Sequence, residues 1–99
     1  MAIQLQITKG LDVYPQAYAR ISNLESNNQG NKTSIAYWVN IWKSAAHKEA
    51  GEPTIDRDRF EVTITDLEKI DTTGLSLPFI TQLYLHLHSQ QKYSSGGMV

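Results

Sequence analysis

The sequence predicts an α+β fold that is mainly β: an antiparallel β-sheet, arranged as a sandwich or a partly closed barrel, with one C-terminal helix. Three observations carry this. Apolar residues recur at every second position in four separate stretches, the period of a half-buried strand. Gly- and Asn-containing turn signals interrupt them. The stretch from Pro78 to His88 instead spaces its apolar residues as a helix does.

Ile3, Leu5 and Ile7 alternate with Gln4, Gln6 and Thr8, and Gly10 ends the pattern. Residues 1–11 are therefore expected to be an N-terminal arm or an edge strand. Such an arm either pairs with the domain's edge or reaches a neighbouring subunit. Tyr14-Pro15 favours extended or turning backbone, because proline pushes the preceding residue out of the helical region. Ala17 to Glu25 reads as a second strand, with Ala17, Ala19 and Ile21 on one face and Tyr18, Arg20 and Ser22 on the other. Residues 27–31, Asn-Asn-Gln-Gly-Asn, are the clearest turn signal, since Asn and Gly tolerate the positive φ of tight reversals.

Thr33 to Lys43 is the most apolar stretch. Ile35, Tyr37, Val39 and Ile41 line one face, and Ala36, Trp38, Asn40 and Trp42 line the other. Large apolar groups on both faces imply that both are covered. One side is expected to meet the domain core, the other a second layer or another chain. Ser44 to Gly51 fits a helical turn capped by Gly51 and halted before Pro53. Arg59 to Thr65 is a further strand, with Phe60, Val62 and Ile64 on one face. Asp66 to Leu77 is polar and reads as a loop.

Pro78 to His88 admits two patterns. Phe79, Ile80, Leu83, Tyr84 and Leu87 fit a helix, whereas Leu83, Leu85 and Leu87 against Tyr84, His86 and His88 fit a strand. The length, the initial proline and the lack of β-branched residues after Thr81 favour the helix. Ser89 to Val99 reads as a mobile tail. One β-rich domain is thus expected over residues 12–90, followed by a tail over 91–99. Its expected core is Ile21, Ile35, Tyr37, Val39, Ile41, Phe60, Val62 and Ile64, packed against the helix.

Composition narrows the function. Ninety-nine residues make one domain, and so short a chain buries only about 60–65 % of its unfolded surface. Partners are therefore expected to supply part of its stability. A net charge of −1 gives no field for a phosphate backbone, so no nucleic-acid partner is expected. The absence of cysteine excludes disulfides, a thiolate nucleophile and cysteine-ligated metals. No apolar run approaches the roughly 20 residues of a membrane helix, and the N-terminus lacks the apolar core of a signal peptide. Neither a membrane partner nor use of the Asn31-Lys32-Thr33 sequon is expected.

No constellation points to an enzyme, a cofactor or a metal. His86 and His88 could share a metal on a strand but not on a helix, where residues two apart diverge. Asp56-Arg57-Asp58-Arg59 sets acids beside bases, but reads as a solvated loop or charged strand edge with weak ion pairs. Neither a G-x-S-x-G elbow nor a phosphate-binding glycine loop occurs, and Gly96-Gly97 lacks a strand–helix context. Trp38 and Trp42 are the most informative pair. Four residues apart on a strand they share a face, and Tyr18 can join them from the neighbouring strand. Core packing, a subunit interface and a sugar-stacking platform all suit such a face. The candidate interface comprises Trp38, Trp42 and Tyr18, together with Ile3, Leu5 and Ile7 of the arm.

Several segments resemble a family of small bacteriophage virion proteins that accompany tail and tail-fibre genes. Ala17-Tyr18-Ala19-Arg20-Ile21 is similar to that family's first strand. Residues 46–55, Ala-His-Lys-Glu-Ala-Gly-Glu-Pro-Thr-Ile, resemble its connection. Residues 79–87, Phe-Ile-Thr-Gln-Leu-Tyr-Leu-His-Leu, resemble its last segment, which the family folds as a helix. The likeness covers most of residues 17 to 93, departing over Leu67 to Leu77 and in the tail. It implies a non-catalytic building block of a tail, baseplate or fibre-attachment region, assembled in the bacterial host cytoplasm. Its expected partners are other virion proteins and further copies of itself, in a homo-oligomer. A carbohydrate-binding receptor module of a tail and a capsid decoration or cement protein are the alternatives. A host-side adaptor or enzyme subunit is favoured only by its general frequency.

Overall fold

The structure, a computed structural model, describes residues 1–30, 32–66 and 78–99. The polar loop expected over Asp66 to Leu77 falls, apart from Asp66, outside them. The elements in chain order are β1 (Ile3–Lys9), β2 (Asp12–Gln29), β3 (Lys32–Trp42), α1 (Ala45–Glu49), β4 (Asp56–Thr63), α2 (Phe79–His88) and β5 (Gly97–Met98). The strands form one antiparallel sheet in the order β4-β3-β2-β1-β5. The chain is therefore mainly β with a C-terminal helix, as its patterning predicts, and the sheet does not close into a barrel.

Glycines set both tight hairpins. Lys9 pairs with Asp12 and Gln29 with Lys32, and Gly10 and Gly30 open the two loops at φ of 63° and 60°. A side chain rarely adopts that left-handed conformation. β2 starts earlier than expected and runs straight through Pro15. A bulge allows it: Leu5 pairs with Ala17 but Ile7 with Tyr14, so Pro15 and Gln16 together oppose Gln6. The missing proline N–H is tolerated where the ladder is already interrupted. A second bulge sets Ser22 and Asn23 against Trp38, between the pairs Ile21–Val39 and Leu24–Tyr37. Bulges add bend and twist. The sheet curls far enough for the Lys9 ammonium on β1 to donate to the Ile55 carbonyl just before β4.

The core lies between one face of this sheet and α2. Ile3, Leu5, Ile7, Ala17, Ala19, Ile21, Ile35, Tyr37, Val39, Ile41 and Val62 supply the sheet side. Leu83, Tyr84 and Leu87 supply the helix side, and Tyr93 follows from the turn beyond it. The small Ala17 and Ala19 on the central strand leave depth for the helix's larger side chains. Phe60 and Ile64 of the expected core are only partly buried at its margin. The first turn of α2 projects outward, with Phe79 and Ile80 exposed.

α1 is a single short helix with a complete C-terminal cap. Gly51 stands at φ 75°, its N–H donates to the Lys48 carbonyl, and the Glu52 N–H donates to the His47 carbonyl. This is the Schellman pattern that the glycine predicts.

Residues 1–11 take the paired place of the two expected for them: β1 joins β2 along its length, and β5 covers its other side only at Ile3 and Gln4. The other chain end departs from expectation. The tail is docked. Ala2 and Val99 exchange backbone hydrogen bonds of 2.9 Å, and Tyr93 is fully buried. Residues 1–11, 12–90 and 91–99 therefore build one sheet together.

Candidate functional site

Strand parity sorts every side chain of the sheet onto two faces. The inner face meets α2. The outer face carries Trp38, Asn40 and Trp42 on β3. Across the ladders these stand opposite Tyr18 and Arg20 on β2 and Arg57 and Arg59 on β4. α1 approaches this face through Lys48 at one end.

The outer face alternates aromatic rings with cations. The Arg57 guanidinium lies over the Trp38 ring, 4.2 Å from its centroid, and Arg59 follows at 5.8 Å. Lys48 Nζ stands 5.9 Å from the Trp42 centroid. Tyr18 packs beside Trp42, its ring centroid 6.4 Å away and tilted by 52°. Between the two tryptophans Asn40 pairs with Arg20 on one side and Arg57 on the other. Both tryptophans and Tyr18 are half-buried. Cation–π contacts of this kind contribute about 0.5–1 kcal/mol each at exposed sites.

The Asp-Arg-Asp-Arg run supplies two of these cations from β4, a charged strand at the edge of the sheet. Alternation sends Asp56 and Asp58 to the inner face and Arg57 and Arg59 to the outer. The acids are answered by the chain beyond α2. Lys92 Nζ lies 2.7 Å from Asp58 and 3.3 Å from Asp56, and the buried Tyr93 hydroxyl donates to Asp58. Burial alone would raise the Asp56 carboxyl, but the Arg57 N–H and the Lys92 ammonium hold it below its ordinary range. Burial alone would lower Lys92, and Asp58 and Asp56 hold it above its ordinary range. Tyr93 is pushed up by burial and by its bond to Asp58. This cluster ties the turn after α2 to β4 and leaves the outer face with an excess of positive charge.

Of the sequence-derived interface residues, Trp38, Trp42 and Tyr18 come together on the outer face. Ile3, Leu5 and Ile7 do not join them. They are 0 %, 4 % and 6 % exposed beneath α2 and form core, so they offer no surface to a partner. Their alternation marked a buried face, and the face is buried by the chain's own helix. Arg20 shares the Tyr18 face in the sequence pattern, whereas Arg57, Arg59 and Lys48 are absent from the expected interface. For Arg57 and Arg59 the alternation of Asp and Arg is the available signal.

The histidine pair divides as a helix requires. His86 Nδ1 lies 2.6 Å from the Tyr37 hydroxyl, and His88 Nε2 lies 2.8 Å from the Gly96 carbonyl. No cluster of three or more His, Cys, Asp or Glu that could hold a metal occurs among the described residues. No described helix is long and apolar enough to cross a membrane. A surface hollow beside the end of β4 is lined by Lys32, Thr33, Thr63, Ile64, Thr65 and Asp66. Comparison with protein-family models, curated proteins and solved structures finds no match.

Proposed function

We propose that this chain is a non-catalytic structural subunit of a bacteriophage virion, held in the tail, baseplate or fibre-attachment region through the outer face of its sheet. One observation carries the assembly reading. The most apolar strand has large side chains on both faces, and α2 covers only one of them. Both tryptophans of the chain lie on the other. Aromatic and arginine side chains of this kind are enriched in interface centres, and a large aromatic patch left in water invites aggregation. The resemblance of residues 17–21, 46–55 and 79–87 to small tail-associated virion proteins supplies the setting.

A sugar-stacking platform fits the face less well, because Arg57 and Lys48 already lie over the ring faces that a sugar would need. Trp42→Ala tests the assembly reading. The variant should keep its fold, since Trp42 lies outside the core, yet incorporate poorly into particles of the parent phage. Purified particles that lack the wild-type chain would overturn the virion reading. Normal incorporation of Trp42→Ala would overturn the role of this face.

A further inference from the structure

We infer that the outer face takes an acidic segment of a different protein, one presenting one or two carboxylates between apolar side chains. The inference rests on the assembly reading above and adds the chemistry of the partner.

The charge distribution carries it. Among the described residues Arg59 has Glu61 at 3.4 Å, Lys48 has Glu49 at 3.7 Å, and Lys92 holds both aspartates on the other face. Among the described residues no carboxylate lies within ion-pair distance of Arg57 or Arg20. They flank Asn40 across three adjacent strands, so two arginines without an ion-pair partner among the described residues border the centre of the face, and the Arg57 guanidinium lies over Trp38. The aromatic groups bound them. Trp42 and Tyr18 lie on one side and Trp38 on the other, the two tryptophans roughly 13 Å apart along β3. Contact with the Trp38 ring, 4.2 Å from its centroid, favours one placement of the Arg57 guanidinium. A planar fork ordered in advance loses little freedom when a carboxylate binds it in bidentate fashion.

The rim selects among anions. Glu25 and Glu61 stand on either side of Ala36, one step beyond Trp38, and Glu49 lies beside Lys48 at the other end. A nucleic-acid strand crossing the face would set phosphates against these carboxylates. A short peptide segment with its carboxylates at the centre would not. A second copy is disfavoured for a related reason. A twofold axis through Asn40 at the centre of the face repeats the same patch on both sides, which sets Arg57 and Arg20 against arginines of the second copy. The homo-oligomer expected from the sequence would have to use another surface.

Both tryptophans of the chain report on this face, so intrinsic fluorescence reads occupancy directly. The purified chain is titrated with a short synthetic peptide alternating Glu and Leu, with its Lys–Leu counterpart, and with oligothymidylate. The Glu–Leu peptide should shift tryptophan emission saturably and more weakly at high salt, and the Lys–Leu peptide should not. Arg57→Glu should weaken the Glu–Leu response about tenfold or more, with thermal melting confirming that the variant is folded. Arg57→Lys, which keeps the charge but not the fork, should fall between. Three results would overturn the inference: no response to the Glu–Leu peptide, an equal response in Arg57→Glu, or tighter binding of oligothymidylate. A dimer in sedimentation that Trp38→Ala abolishes would assign the face to a second copy and overturn it too. Particles play no part in these measurements, so their failure is distinguishable from failure of the virion reading.

Discussion

Ile21 donates its backbone N–H to the Tyr84 hydroxyl at 3.0 Å. Ile21 stands at the second bulge of β2, beyond Ala19, which pairs with the first residue of β1. Tyr84 is 2 % exposed, and burial raises its pKa, so the hydroxyl stays protonated. The bond fixes α2 against the sheet at the point where both ladders change. Tyr84→Phe keeps the ring and removes the acceptor, leaving the Ile21 N–H without its partner. We expect a loss of about 1–3 kcal/mol, seen as a lower melting temperature with an unchanged circular dichroism spectrum. An unchanged melting temperature would show that water replaces the hydroxyl.

Removing residues 1–9 should unfold the domain. The deletion takes Ile3, Leu5 and Ile7 out of the core and strips β5 of its partner strand. Full burial of each such side chain stabilises by about 1.5–3 kcal/mol, and a small domain has only about 5–15 kcal/mol in total. Circular dichroism should show loss of the cooperative thermal transition. A truncated chain that still melts sharply would return β1 to the status of a dispensable arm.

Stability should fall in two steps on acidification. Burial lowers the pKa of His86 although Asp66 opposes it, and its Nδ1 shares a hydrogen bond with the Tyr37 hydroxyl, itself raised by burial. The unfolded chain takes up a proton near its ordinary value of about 6.5, before the folded chain does. Stability therefore declines as pH drops from about 6.5 towards the lowered folded value, and this loss then levels off. Asp56 behaves differently. Its folded pKa is depressed, so its contribution is present above about pH 4 and is lost on further acidification. Denaturant unfolding as a function of pH should resolve both steps, and His86→Gln should remove the upper one alone. An upper step that survives in His86→Gln would have to be reassigned to another histidine.

Periodicity made the strands, the α2 helix and the shared face of Trp38 and Trp42 legible, because these follow from local spacing. What was illegible depended on partners distant in sequence. The alternation of Ile3, Leu5 and Ile7 said that one face is buried but not by which chain. Pro15 looked like an interruption because a bulge, which absorbs it, needs the opposite strand to be defined. Asp56 to Arg59 reads as a charged strand edge with weak ion pairs, but only the register places its acids and bases on opposite faces, with Lys92, more than thirty residues later, answering the acids. The tail looked mobile because it is polar and glycine-rich, and its anchors, Tyr93 and Gly96, act only against β4 and β1.

Gly96 supplies the sharpest test of that docking. A Cβ there would lie 2.6 Å from Ile3 Cγ2, 3.0 Å from the Gln4 carbonyl oxygen and 3.1 Å from Leu5 Cβ. Glycine is required for close approach to β1, and its φ is not in the left-handed range. On the other side His88 Nε2 holds the Gly96 carbonyl, so the backbone cannot withdraw without breaking that bond. Ile3 is itself fully buried, which limits its freedom to yield. Gly96→Ala should therefore lift the tail from β1, break the Ala2–Val99 pair and cost about 1–3 kcal/mol, the usual penalty of overpacking a fixed site. Gly97→Ala is the matched control, because nothing lies within 4 Å of a Cβ built there. Limited proteolysis should release the C-terminal residues faster in Gly96→Ala than in Gly97→Ala or the wild-type chain. If the two variants are cleaved alike and melt alike, β5 does not hold the edge of β1 in solution.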